Sequence, residues 1–307
     1  MQYLLSSTGM LSPIRLAIFT LLVAGFIHSP GYAQPPSKLG VEPYQKGLSL
    51  TKQKSHTDYA QALPLFRNAS EKGNFNAAYA IHVMYLHGYG VKKNPATSNL
   101  WLLKSAKLGS AQAQHYMGNR YQHGIGWKVD HVKSADWFLK AARNGQSHAQ
   151  LDIAQSYYLG RGVSKDLSKA IYWAEKSSLQ NQSFAHYSLG RWLPEQDSSF
   201  ATAVAAKKSF MSAAKLFKKE ASNGNKESAF QLAFMHDKGY GLTEDNSKAY
   251  QGYIKLASQG HLWSQYYLAI LYIEGKGVEK DQLEAQRWLR AASQGGLKSA
   301  TRLLARF

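Results

Sequence analysis

Five Gly-x-Gly pairs, Gly88/Gly90, Gly124/Gly126, Gly160/Gly162, Gly239/Gly241 and Gly275/Gly277, stand 36, 36, 79 and 36 residues apart. A fixed period of this length means copies of one small supersecondary unit, each unable to bury its own apolar face and stable only when stacked on its neighbours. The interval of 79 holds one ordinary copy and one that is seven residues longer, so one repeat is degenerate. A second series, Gly73, Gly109, Gly145, Asn181, Gly224, Gly260 and Gly295-Gly296, marks the junctions between copies. Gly and Asn tolerate the left-handed backbone that closes a helix, so each junction reads as a helix C-terminus.

Counted from each junction, the fourth residue is always small (Ala77, Ala113, Ala149, Ala185, Ser228, Ser264, Ala300) and the eighth is apolar (Ile81, Met117, Ile153, Leu189, Leu232, Leu268, Leu304). The twelfth is mostly Tyr (Tyr85, Tyr121, Tyr157, Tyr272, with Leu193 and His236). Spacings of four and eight lie along one face of an α-helix, which predicts a first helix with a buried stripe. The ninth position is small (Gly118, Ala154, Gly190, Ala233, Ala269, Ala305) and broken only by His82. After the Gly-x-Gly turn come Asn94, Asp130, Asp166, Asp245 and Asp281, residue types that cap a second helix by accepting from its free N–H groups. Pro95 fits a first helical position. Trp101, Trp137, Trp173 and Trp288 follow seven residues after their caps, and the first three precede a Lys by three residues.

These positions resemble the Sel-one-like repeat family, relatives of the tetratricopeptide repeats, with Tyr157, Gly160, Gly162, Val163, Asp166, Lys169, Ala170, Trp173 and Lys176 as the closest copy. The resemblance covers about residues 58–307. It implies an all-α fold: a right-handed superhelical α/α solenoid of about six helix-turn-helix repeats, at 74–109, 110–145, 146–181, a degenerate 182–224, 225–260 and 261–296. Residues 43–73 read as a partial leading repeat with Asp58 in the cap position, and 297–307 as a capping helix. In the degenerate copy the Gly-x-Gly turn is replaced by Pro194-Glu195-Gln196-Asp197, and its second helix, about 201–222, is expected to be longer by nearly two turns.

Residues 1–33 contain no acid and a single Arg15, followed by the apolar run Leu16 to Ile27 and then Ser29-Pro30-Gly31-Tyr32-Ala33. This order predicts a secretory signal peptide cleaved after Ala33, with Met10 as an alternative start and 34–42 as a linker. The apolar run falls short of the ~20 residues that cross a bilayer, which makes an uncleaved anchor the lesser alternative. The expected location is periplasmic or secreted. Absence of cysteine excludes a disulfide framework and a lipidated cysteine. A cysteine-rich exported branch of the family is associated with β-lactam binding, and this chain lacks its cysteines. The formal charge of +18 lies almost wholly outside the leader and favours acidic proteins, anionic envelope glycans or an anionic membrane surface; export argues against nucleic acid.

No catalytic or phosphate-binding motif is present, and His115, His123 and His131, eight residues apart, match no standard metal spacing, so neither an active site, a metal nor a cofactor is expected. Binding residues are better sought where one copy departs from a polar consensus. Three past the junction the series Asn76, Gln112, His148, Phe184, Glu227, Trp263 offers Phe184 and Trp263. At the sixth position Tyr79, Tyr187 and Tyr266 are candidates for a groove, since the first helices of related solenoids line the concave face. Trp127 stands where Val91, Val163 and Val278 occur and is a loop candidate. These features lead to a non-catalytic scaffold that binds a partner protein, with an anionic-glycan or peptidoglycan binder as the first alternative and a hydrolytic enzyme as the last.

Overall fold

The computed structural model describes residues 40–53 and 55–307; the leader assigned to 1–33 and most of the linker lie outside them. The described chain is all-helical, with no strand. Its α-helices are α1 (Val41–Leu50), α2 (His56–Glu71), α3 (Phe75–His87), α4 (Pro95–Lys107), α5 (Ala111–His123), α6 (His131–Arg143), α7 (Ser147–Leu159), α8 (Leu167–Ser178), α9 (Ser183–Gln196), α10 (Phe200–Ser222), α11 (Lys226–Lys238), α12 (Asn246–Ala257), α13 (Leu262–Glu274), α14 (Gln282–Gln294) and α15 (Lys298–Leu304). The chain forms two compact units, one ending at Ile153 and including Arg161–Val163, the other made of Ala154–Gly160 and Ser164–Phe307. Within each unit successive helices pack in antiparallel pairs, pair upon pair, in the order of a helix-repeat solenoid. No described helix is long and apolar enough to cross a membrane.

The boundaries follow from capping chemistry. Asn94, Asp130, Asp166 and Asp245 each accept from the backbone N–H three residues on, at 2.9–3.0 Å, and Asp281 accepts from Leu283 and Glu284. The Lys133 and Lys169 N–H groups, helped by their ammonium groups, hold the Asp130 and Asp166 carboxyls below the usual range. At the leading helix α2 the cap is Ser55, not Asp58. Asp58 is the third helical residue and closes a capping box: its N–H donates to Ser55 Oγ (3.0 Å) while its carboxylate accepts the Ser55 N–H (3.2 Å). The Ser-x-x-Asp pattern starts this helix three residues earlier than the repeat alignment implies. Helix α1 likewise begins at Val41, inside the stretch assigned to the linker.

Stacking uses three recurring devices. The fifth residue past a junction, on the first helix, reaches back to the preceding second helix: Gln114 donates to the Ala106 carbonyl, Gln150 to Ala142 and Gln265 to Ala257, at 3.1–3.2 Å. A serine four past the cap ties the two helices of one repeat, Ser98 to the His82 carbonyl and Ser134 to that of Gly118. The recurring lysine sits over its tryptophan, Lys104 on Trp101 at 4.7 Å and Lys140 on Trp137 at 4.5 Å. The tryptophans are half-buried, and the residue after them (Leu102, Phe138, Leu289) is fully buried in the core.

The small ninth position is explained by ring packing. A Cβ on Gly190 would lie 2.6 Å from the Phe210 ring, and one on Gly118 would collide with Phe138. Alanine normally favours a helix over glycine by about 1 kcal/mol. Gly190→Ala should nevertheless destabilise, by up to about 2 kcal/mol, because displacing a packed ring costs ~1–3 kcal/mol. Urea unfolding checks the sign, and Phe210→Leu in the same chain should restore the gain from alanine. A stabilised single variant would show that the ring yields freely.

The degenerate repeat keeps its buried face and changes everything else. Helix α10 has 23 residues where α4, α6, α8, α12 and α14 have 12 or 13. Ala206, Ala213, Ala214 and Phe217 remain buried, at helical spacing. Pro194 sits in the last turn of α9, where it supplies no N–H to the Gly190 carbonyl, and the chain leaves at Asp197 in an extended conformation.

Candidate binding surface

The first helices bring aromatic residues of successive repeats into register, because the sixth position recurs on the same helical face in every copy. In the first unit Tyr79 stacks on Tyr116 at 6.2 Å and is only 5% exposed; burial pushes its phenol well above the ordinary range. Trp127 lies in the turn after α5, half-buried, 5.7 Å from the Tyr121 ring and under the Arg120 guanidinium at 5.9 Å. In the second unit Tyr187 is also buried, at 9%, covered by Phe210 and Tyr240, and burial against the opposing effect of Arg191 pushes its phenol up to about 12. Tyr79 and Tyr187 therefore belong to the core and not to an open groove: rings from neighbouring elements close over them. Phe184, Trp263 and Tyr266 are half-buried.

What the sequence did not reveal is that four of these six residues join one array. From Phe184 the rings run through Phe217 (4.9 Å), Tyr187 (6.4 Å), Phe210 (5.7 Å), Tyr240 (4.7 Å), Phe234 (6.1 Å) and Tyr267 (5.2 Å) to Trp263 (6.2 Å), which meets Tyr266 edge-on at 5.8 Å. Of the members that sequence reasoning missed, Tyr240 carried a signal: it occupies the middle of its Gly-x-Gly turn, as Tyr89 does in the first repeat, and Tyr89 likewise stacks on Tyr59 at 5.1 Å. Beneath the array the buried Asp237 carboxylate accepts from Tyr253 Oη (3.4 Å) and pairs with Lys238 (3.0 Å). A rigid ladder of rings with half-exposed ends can hold apolar and aromatic side chains of a ligand; it has no nucleophile and base in reach of each other.

The histidines are arranged otherwise than the eight-residue spacing suggests. His115 Nε2 lies 2.7 Å from Asp152 Oδ2, and the His115 ring stacks on His148 at 6.1 Å, a partner set drawn from the next repeat. Burial pushes the His148 imidazole down, with His115 adding to the effect. Among the described residues no three His, Cys, Asp or Glu side chains come together as a metal site.

Six stretches, residues 37–74, 75–110, 111–146, 147–182, 226–261 and 264–297, match the family model described as the Sel1 repeat, together well over half of the chain. The chain belongs to the Sel1 repeat family. The first Sel1 match takes in the leading segment around α1 and α2, and the degenerate copy with α10 falls between the fourth and fifth. Among solved structures, a Sel1 repeat protein from Oxalobacter formigenes is 25% identical over 82% of this chain and 97% of its own, with a TM-score of 0.61. A protective antigen present in uropathogenic Escherichia coli strains, which displays an SLR fold, is 25% identical over 95% of this chain, with a TM-score of 0.57. This chain spans 59% of that antigen's length. No curated protein matches the chain in sequence.

Proposed function

We propose that this Sel1 protein is an exported, non-catalytic scaffold of the bacterial envelope or extracellular space, which holds a segment of another protein against the aromatic array of the second unit. The Sel1 solenoid is generally a protein-interaction scaffold. The observation that carries the finer reading is the continuity of the array, which ends in the half-exposed rings of Trp263, Tyr266 and Phe184. Large, rigid aromatic side chains are favoured anchors at protein interfaces. Export is supported by the charge-poor, apolar order of residues 1–33.

The test is affinity capture from cell-envelope extract, with the purified protein and its Trp263→Ala and Phe184→Ala variants as baits. A protein partner retained by the parent and weakened about tenfold or more by Trp263→Ala is expected, the size of an interface hot spot. Equal retention by all baits would remove the array from the interface. Recovery of anionic glycan alone, released from every bait by moderate salt, would hand the protein to the glycan reading, because screened surface charge weakens steeply with ionic strength.

A further inference from the structure

We propose that the degenerate repeat is a second docking site, for an acidic amphipathic segment of a partner protein laid along the N-terminal half of α10. It shares with the scaffold reading the assumption that the ligand is a polypeptide and the rings of Phe210 and Tyr240, which line its groove, whereas Phe184 and Trp263 at the ends of the array do not line it.

The ten or so extra residues of α10 extend it by about 15 Å beyond an ordinary second helix. Along the N-terminal half of α10 Phe200, Val204 and Met211 are 86%, 51% and 54% exposed. Their spacing of four and seven places them in one stripe along the helix. Beside the stripe lies a groove of about 600 Å³, walled by Gly190 and Pro194 of α9, Ala206 and Phe210 of α10, and Tyr240 and Leu242 of the following turn. Its floor is made by two contacts: glycine at 190 lets the Phe210 ring lie against α9, and the Gly239–Gly241 turn lays Tyr240 flat on Phe210 at 4.7 Å with 7° between the rings. Lys207 and Met211 stand where the groove meets the stripe.

The charge of the same helix selects the occupant. From Phe200 to Ser222 it carries five lysines, Lys207, Lys208, Lys215, Lys218 and Lys219, against one acid, Glu220, whose carboxylate accepts from the Ser183 and Ser228 hydroxyls. None of the five has an ion-pair partner among the described residues, whereas Lys133, Lys169 and Lys248 of the ordinary repeats are each paired with a cap carboxylate at 2.9–3.0 Å. An apolar stripe flanked by unpaired cations fits apolar side chains flanked by carboxylates. The chain's own residues 1–39 hold Arg15 and Lys38 and no carboxylate, and a second copy docked face to face would oppose lysines with lysines. A bilayer surface would meet the lysines but, being flat, would leave the groove unfilled.

The experiment selects displayed random peptides of about 16 residues on the purified natural protein, then measures binding of the enriched peptides to Val204→Ser/Met211→Ser and Lys207→Glu/Lys208→Glu variants. Leu100→Ser/Leu283→Ser, which alters exposed apolar residues elsewhere, is the control, and unchanged melting shows that each variant folds. Enriched peptides should be net negative with apolar residues three or four apart, and both α10 variants should weaken them at least about tenfold while the control does not. Neutral or basic peptides, or equal binding to all variants, would overturn the proposal. So would concentration-dependent self-association abolished by Val204→Ser/Met211→Ser, which makes the occupant a second copy. Binding to phosphatidylcholine vesicles with about one third phosphatidylglycerol, without peptide enrichment, would make it a membrane surface. Loss of the α10 site with a partner still released by Trp263→Ala would leave the scaffold reading intact.

Discussion

Gly241→Ala should lower the stability of the second unit by roughly 3 kcal/mol or more, while Gly239→Ala, two residues away in the same turn, should cost only about 1 kcal/mol. Both glycines have left-handed backbone, φ 66° and 65°, and alanine there carries a penalty of about 1–2 kcal/mol. Only at Gly241 does a second cost arise. A Cβ would lie 2.5 Å from the Met211 nitrogen and the Phe210 carbonyl carbon, main-chain atoms that cannot move without displacing α10, whereas at Gly239 the nearest atom is 3.6 Å off. The second glycine of other pairs makes the same approach: Gly90 against Tyr59 and Ala60, Gly162 against His131 and Val132, Gly277 against Asn246 and Ser247. The first glycine thus closes a helix, and the second sets how closely the turn lies on the preceding second helix. Urea midpoints of the two variants measured side by side decide the matter; equal losses would mean that backbone conformation alone explains the motif.

The second large effect is acid lability from His82. Its side chain is 4% exposed, with Nδ1 donating to the Ser98 carbonyl at 2.9 Å and Ser98 Oγ 2.8 Å away. Burial pushes its pKa from 6.5 down to about 4, reinforced by nearby Arg120 and His87 and opposed by the Ser98 carbonyl. Between pH 6.5 and 4 the unfolded chain therefore binds the proton and the folded chain does not, so this group costs no stability above pH 6.5 and progressively more as the pH falls. Linkage gives a loss of about 2 kcal/mol at pH 5 and about 3 kcal/mol at pH 4. Urea unfolding of the parent and of His82→Phe across this range should show a shallower pH slope in the variant. The remaining slope belongs in part to His148, His186 and His236, whose pKa values are also lowered by burial. Identical slopes would show that His82 is solvated or protonated in the folded protein.

The repeat period, the junction glycines and the cap residues were legible in the sequence because each is a local backbone requirement repeated in register: Asn181 adopts φ 59° in the glycine position, as the junction series requires. The departure of His82 from the small-residue rule was legible too, but its meaning was not, since it depends on Ser98 lying across the helix pair. The binding residues were harder. Phe184 and Trp263 stood out against polar neighbours in the alignment, yet Tyr79 and Tyr187 looked the same as Tyr266 until rings from other elements were seen to cover them. The cap at Ser55 escaped because repeat alignment fixes a position by analogy, whereas a capping box is decided by the local pair Ser55 and Asp58.

By itself, then, the sequence determined the all-helical repeat architecture, the helix ends of the ordinary repeats and the place where one copy departs from the rest, because these follow from contacts within one turn of a helix and recur at a fixed period. Only the tertiary structure decided which aromatic residues share a surface, why the second glycine of a turn is needed, and that α10 leaves an apolar stripe and five unpaired lysines uncovered. Those depend on which side chains of different repeats meet, and burial is a property of the neighbour as much as of the residue.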